Sequence, residues 1–341
     1  MAQAQPFSYE KCFVHKSREE REEDERTYNM YKTLVQTLPT KKGLGCGDLY
    51  DYQGFWYEYE HCAPIMAVQD HFKPRSTDIL LVTAPKSGTT WMKALMFAIM
   101  NRNSYSSDEH PLLTFNPHMC VPFLEGNIYK ENVIPDLNVL PSPRLFATHI
   151  PYSSQPKLVK ESRCRIVYLC RNPRDTFVLF WDFINQIRAK NLIPALELED
   201  AVEMFCDGIT PFGPLWDHIL GYWKESIDSP ENVLFLKYEE LQAQPLVHLK
   251  RVAEFVGCPF SPDEEKGEAL TEITNLCSLD NLRNSAANQT GMVDTAVVSV
   301  EASVFFRQCE IGDSEKLLTT DMTEKIDLIT KTKLCGSGLT M

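Results

Sequence analysis

From Ile79 onward the chain alternates short, uniformly apolar runs with longer runs that are apolar on one side only. The runs at 79–83, 144–150, 165–170 and 232–238 have strand length and are rich in Val, Ile, Leu and Phe. The stretches after Thr90 and at 175–189, 213–227 and 246–256 repeat apolar residues every three to four positions, as a helix with a broad buried face does. A last helix is expected over 320–333. Ser261-Pro262-Asp263-Glu264 reads as a helix start, with a Ser cap, Pro at the first position and Glu three residues after the cap. Strands that are apolar on both faces and alternate with helices predict an α/β fold. It is a single domain with a mostly parallel sheet flanked by helices on both faces. No internal repeat or low-complexity tract is present.

Residues 1–45 break this pattern. They are polar and charged, include a Lys/Gly-rich loop at 40–45, and read as a partly mobile N-terminal arm ahead of a domain spanning 46–341.

The junction after the first strand holds the densest chemistry. Pro85-Lys86-Ser87-Gly88-Thr89-Thr90-Trp91 lies between an apolar strand and an apolar helix. Such a turn gathers free backbone N–H groups and the positive helix end at one point, which suits an anion. Lys86 adds a full charge, Ser87, Thr89 and Thr90 add hydroxyls, and Gly88 lets the backbone approach a phosphate. A nucleotide-binding Walker loop places its Lys directly after the last Gly, whereas Lys86 precedes Gly88 by two residues, so a P-loop kinase is a poor fit. Lys86, His149, Arg171 and Tyr238 all fall at or just past strand ends, the edge at which such sheets bind ligands.

The 85–91 segment resembles the 5′-phosphosulfate loop of the cytosolic sulfotransferases, which use 3′-phosphoadenylyl sulfate (PAPS). The resemblance runs from about Tyr52 to the C-terminus. The 52–57 and 144–152 segments are most similar to plant members. It implies a P-loop-like sulfotransferase fold and transfer of a sulfuryl group to a hydroxyl of a small metabolite such as a flavonoid, steroid, phenolic or glucosinolate precursor. His149 matches the family's catalytic base, and Lys86 would relieve charge at the leaving phosphate. Arg171 matches the residue that binds the 3′-phosphate. Trp91 and Tyr238 match adenine-side positions, and Phe123 and Phe183 match the acceptor pocket.

Several positions depart from the family pattern. Leu179 stands where a phosphate-binding Ser is usual, and Leu279 where a Phe covers the base. The C-terminal phosphate signature keeps Arg307 but has Gln308 for Lys, Cys309 for Gly and Ser314 for Trp. Charge-assisted hydrogen bonds contribute roughly 1.5–3 kcal/mol each, so these changes also fit a catalytically weakened protein that binds small hydrophobic metabolites. Ala147 replaces a Lys found two residues before the His in animal members. Only Thr319 and Glu324 match the family's dimer motif, so the oligomeric state stays open.

Composition narrows the partners. The 341 residues carry a net charge of −13, which disfavours nucleic acid and implies that cations gather locally around any anionic ligand. The eleven Cys contain no C-x-x-C pair, so neither a zinc site nor a disulfide framework is expected. No metal is expected in the chemistry. The charged run near the N-terminus is unlike a signal peptide, and no apolar run reaches membrane-spanning length, which together imply a reducing, cytoplasmic location.

Overall fold

The structure is a computed structural model that describes residues 9–13, 16–106, 108–130, 132–294, 299–306 and 312–341. A small antiparallel sheet comes first. It is built from β1 (Thr40–Lys42), β2 (Asp48–Tyr52) and β3 (Phe55–Glu58). Gln53 and Gly54 close the β2–β3 hairpin with positive φ at both positions, as a two-residue turn matched to strand twist requires. The stretch read as a Lys/Gly loop therefore starts as a strand, with Thr40 paired to Tyr50.

The central sheet contains β4 (Ile79–Thr83), β5 (Leu145–Thr148), β6 (Arg165–Cys170) and β7 (Val233–Lys237), all parallel, in the order β5-β4-β6-β7. Its strands alternate between two cores. Leu80, Val82, Phe146, Ile166, Tyr168 and Phe235 face one core, and Ile79, Leu81, Leu145, Val167, Leu169 and Leu234 face the other. Burial on both faces explains why these strands read as unbroken apolar runs. The chain passes from β4 to β5 on one side and to β6 on the other. That reversal opens a crevice at the carboxyl end of β4.

Helix boundaries fall close to the expected ones: Pro173–Lys190, Leu215–Asp228, Pro245–Phe255 and Thr320–Leu334. Ser261 makes the expected capping box with Glu264. Among the described residues, no helix is long and apolar enough to cross a membrane.

Part of the N-terminal stretch, read from sequence as a partly mobile arm, packs on the rest of the chain. Helix α1 (Arg18–Val35) starts at a Ser17–Glu20 capping box and buries Asp24, Tyr28, Tyr31 and Val35. It packs on α2 (Tyr59–His71), where the Tyr31 hydroxyl donates to Asp70 at 2.6 Å. The buried stripe is only one residue in three or four wide and uses two Tyr, so the charged remainder dominates the composition.

Candidate active site

The loop from Ala84 to Gly88 joins β4 to α3 (Thr89–Asn101). Lys86 and Gly88 have φ values of 65° and 102°. At Gly88 a Cβ would meet the Tyr238 ring at 2.7 Å and Leu169 at 3.1 Å, so the left-handed turn and the packed ring both require glycine. Lys86 holds its strained backbone without that excuse, a feature typical of a side chain aimed for use. Its Nζ lies 4.6 Å from the centroid of Phe183 and 5.7 Å from that of Phe305.

His149 follows β5. Its Nδ1 lies 2.7 Å from the Thr83 carbonyl oxygen, which can only accept. Nδ1 therefore carries the ring proton and donates it, leaving Nε2 with a bare lone pair. Burial, reinforced by Lys93, His218 and His61, pushes the ring down to about 3, so it stays neutral near physiological pH. The Phe123 and Phe212 rings flank it at centroid distances of 4.6 and 5.3 Å. The His149 backbone N–H donates to Glu125 Oε1 at 2.6 Å, and its carbonyl accepts from His218 Nε2 at 2.9 Å. Main-chain and side-chain bonds thus fix the imidazole from three sides.

Arg171 follows β6 and is buried, its guanidinium carbon 4.3 Å from the Tyr238 ring centroid. Asn172 caps the next helix by accepting from Arg174 N–H, and its own N–H donates to Glu239. Asp175 accepts from Ser314 Oγ at 2.7 Å and from the Gly312 N–H at 3.2 Å. The Ser314 departure is thereby used structurally. Trp91 and Tyr238 meet edge to face at 5.3 Å.

One crevice of about 330 Å³ is lined by Lys86, Gly88, Thr89, Thr90, Trp91, Phe123, His149, Arg171, Leu179, Phe183 and Tyr238. Leu279 lines it too. Ser87 does not; it is fully buried beneath the loop. Arg307, Gln308 and Cys309 lie outside the described residues.

The sequence missed part of the wall. Glu125, Phe212 and His118 carry no strand-end signal for the site, yet all three line the crevice. The Asn116-Pro117 cap of a single-turn helix, Pro117–Cys120, was the available signal for His118. Tyr9 also lines the crevice, from the stretch read as a partly mobile arm. Tyr9→Ala is accordingly expected to raise the acceptor KM by roughly fivefold, the effect of about 1 kcal/mol of lost apolar contact. Nucleotide affinity measured on the same protein should not change.

Buried neutral imidazoles make this region acid-sensitive. Burial holds His110 and His218 down to about 4, and His118 well below its usual value. Folded values below the unfolded ones mean that stability is complete above about pH 6.5 and is lost as pH falls toward 4. Glu125, raised by burial, works the other way across the carboxylate range. Because the histidines outnumber it, the urea midpoint is expected to fall steadily between pH 7 and pH 5. A flat profile would refute their buried neutrality.

The comparisons agree with this architecture. The family model described as Sulfotransferase domain matches residues 76–338. Cytosolic sulfotransferase 8 of Arabidopsis thaliana is 44% identical over 90% of this chain and 92% of its own length. Cytosolic sulfotransferase 12 of the same plant is 44% identical over 93% and 95%. The crystal structure of an Arabidopsis thaliana sulphotransferase superposes with a TM-score of 0.70 at 41% identity, covering 91% of this chain and 94% of that one. A retinol dehydratase bound to androsterone and PAP shares the fold, with a TM-score of 0.69 at 18% identity, covering 94% and 96%. The chain belongs to the sulfotransferase family. Within it, the chain is of the plant-like cytosolic kind.

Proposed function

We propose that this enzyme transfers the sulfuryl group of PAPS to a hydroxyl of a small, flat metabolite of the phenolic, flavonoid, steroid or glucosinolate-precursor class. The observation that carries this reading is the placement of the His149 ring, with its bare Nε2, in the same crevice as Lys86 and Arg171.

The residues present suit such a donor. The start of α3, the Lys86 ammonium and the Thr89 and Thr90 hydroxyls form one anion cradle, and the buried Arg171 guanidinium forms a second. Trp91, Tyr238 and Leu279 supply apolar cover between them. The donor, when bound, supplies an activated sulfur with a phosphate leaving group. His149 Nε2 accepts the proton of the acceptor hydroxyl, and the Thr83 carbonyl steadies the imidazolium that forms. Lys86 provides positive charge where negative charge builds up on the departing oxygen. Phe123, Phe212 and Phe183 hold a flat acceptor against the imidazole and exclude water.

Calorimetry with 3′,5′-bisphosphoadenosine (PAP), the desulfated donor, tests the reading. Micromolar or tighter binding is expected. No heat at millimolar ligand would instead support the metabolite-binding alternative, in which Leu179 and Leu279 mark a lost donor site.

A further inference from the structure

Lys93 is a fully buried lysine two residues past Trp91 on α3, and the catalytic scheme above makes no use of it. Two groups face its nitrogen closely. His118 Nδ1 lies 3.1 Å away, and the Phe123 ring centroid lies 3.4 Å away. A ring face and an imine-type nitrogen are both electron-rich, so Lys93 is the donor to each. Donation to Nδ1 leaves the neutral His118 ring with its proton on Nε2. That nitrogen lies 3.0 Å from Thr90 Oγ1. Nε2–H donates to the Thr90 oxygen, which leaves the Thr90 hydroxyl hydrogen to point elsewhere. Thr90, at the start of α3, and His118, on the short helix Pro117–Cys120, both line the crevice. The His118 ring cannot swing away, because it is stacked on Phe123 at 5.7 Å and held by Phe305 at 4.6 Å.

We propose that Lys93 and His118 are positioning residues, a buried relay that sets the direction of the Thr90 O–H so that it donates into the crevice toward the anionic end of the nucleotide. The inference rests on the donor-binding reading above and adds to it how one hydroxyl of the cradle is oriented. Without the relay, the Thr90 proton can turn back toward His118, and Thr90 then presents lone pairs to a phosphate. The relay converts a group of ambiguous polarity into a fixed donor, and does so without adding a further full charge to those of Lys86 and Arg171 in the crevice.

The test is PAP affinity by calorimetry on the full-length protein, with thermal melting recorded for each variant. Wild-type binding establishes the donor site itself, so failure there is distinct from failure of the relay. Lys93→Met and Thr90→Val are each expected to weaken PAP binding about tenfold, the effect of one charge-assisted hydrogen bond. The double variant should bind no more weakly than Thr90→Val alone, because both changes remove the same O–H donation. His118→Gln, whose amide nitrogen can take the place of Nε2 as a donor, should retain near-wild-type affinity, whereas His118→Leu should lose about tenfold. Additive losses in the double variant would overturn the proposal. So would unchanged PAP affinity in Lys93→Met, whatever its melting temperature, since a purely packing role moves stability and not ligand affinity. Should Lys93→Met fail to fold, the contrast between His118→Gln and His118→Leu decides the same question.

Discussion

His149→Ala is expected to lower kcat by roughly 10²–10⁴-fold, the usual contribution of a positioned general base, while PAP affinity stays within about twofold of wild type. The split follows from the geometry. The ring meets the Thr83 carbonyl through Nδ1 and lies between Phe123 and Phe212, on the side of the crevice where those aromatic rings gather. The cationic groups suited to the nucleotide, Lys86 and Arg171, belong to the β4–α3 loop and the end of β6. On the proposed reading, losing the imidazole therefore removes the proton acceptor without removing an anion contact. In the free protein, an NMR titration of the His149 ring should show no protonation between pH 8 and pH 5, because burial holds its value at about 3. A bound polyanion would move that value upward. Wild-type turnover in His149→Ala would remove the residue from the mechanism, and tenfold weaker PAP binding would mean that its role is structural.

The parts of this site that were legible in the sequence share a physical cause. Lys86, His149, Arg171 and Tyr238 each follow a strand buried on both faces, and such strands announce themselves as unbroken apolar runs. A polar residue directly after one is at the ligand edge of the sheet whatever the detailed topology. Lys93, His118 and Glu125 lack that signal. Lys93 sits mid-helix, where a lysine is ordinarily solvated, and its contact with His118 joins residues 25 positions apart through a turn that only the folded chain specifies. Glu125 reaches the His149 backbone across 24 positions in the same way. Helix α1 was hidden for a compositional reason: two buried tyrosines and a valine on a charge-rich background leave little apolar signal. Tyr9 could be placed at the crevice only once the N-terminal stretch was known to pack on the domain.

Arg144→Leu is expected to have the largest effect on stability, a loss of roughly 3–5 kcal/mol, seen as a lower urea midpoint with an unchanged slope. Asp78 and Arg144 stand immediately before β4 and β5 and are both shielded from water. Arg144 Nε donates to Asp78 Oδ1 at 2.8 Å, Nη2 bonds Oδ2, and two further guanidinium hydrogens go to the carbonyls of Leu137 at 3.0 Å and Lys73 at 3.1 Å. The Arg75 N–H adds a further bond to the same carboxylate at 2.8 Å. Removing the guanidinium leaves a buried carboxylate with one remaining donor, takes the Arg144 bond from the Lys73 carbonyl, and leaves the Leu137 carbonyl with only longer bonds, from Arg75 Nη2 and the Leu140 N–H at 3.4 Å each. The cost is that of uncompensated polar groups, not of a lost attraction. Two controls separate these terms. Asp78→Asn in the Arg144→Leu background removes the stranded charge and should recover part of the loss, and Asp78→Leu with Arg144→Leu should recover more if the apolar pair packs. Because both residues lie at the amino ends of their strands, opposite the crevice, surviving folded protein should bind PAP normally. A single variant as stable as wild type would show that water reaches this pair and that it is not the closed contact that locks β4 against β5.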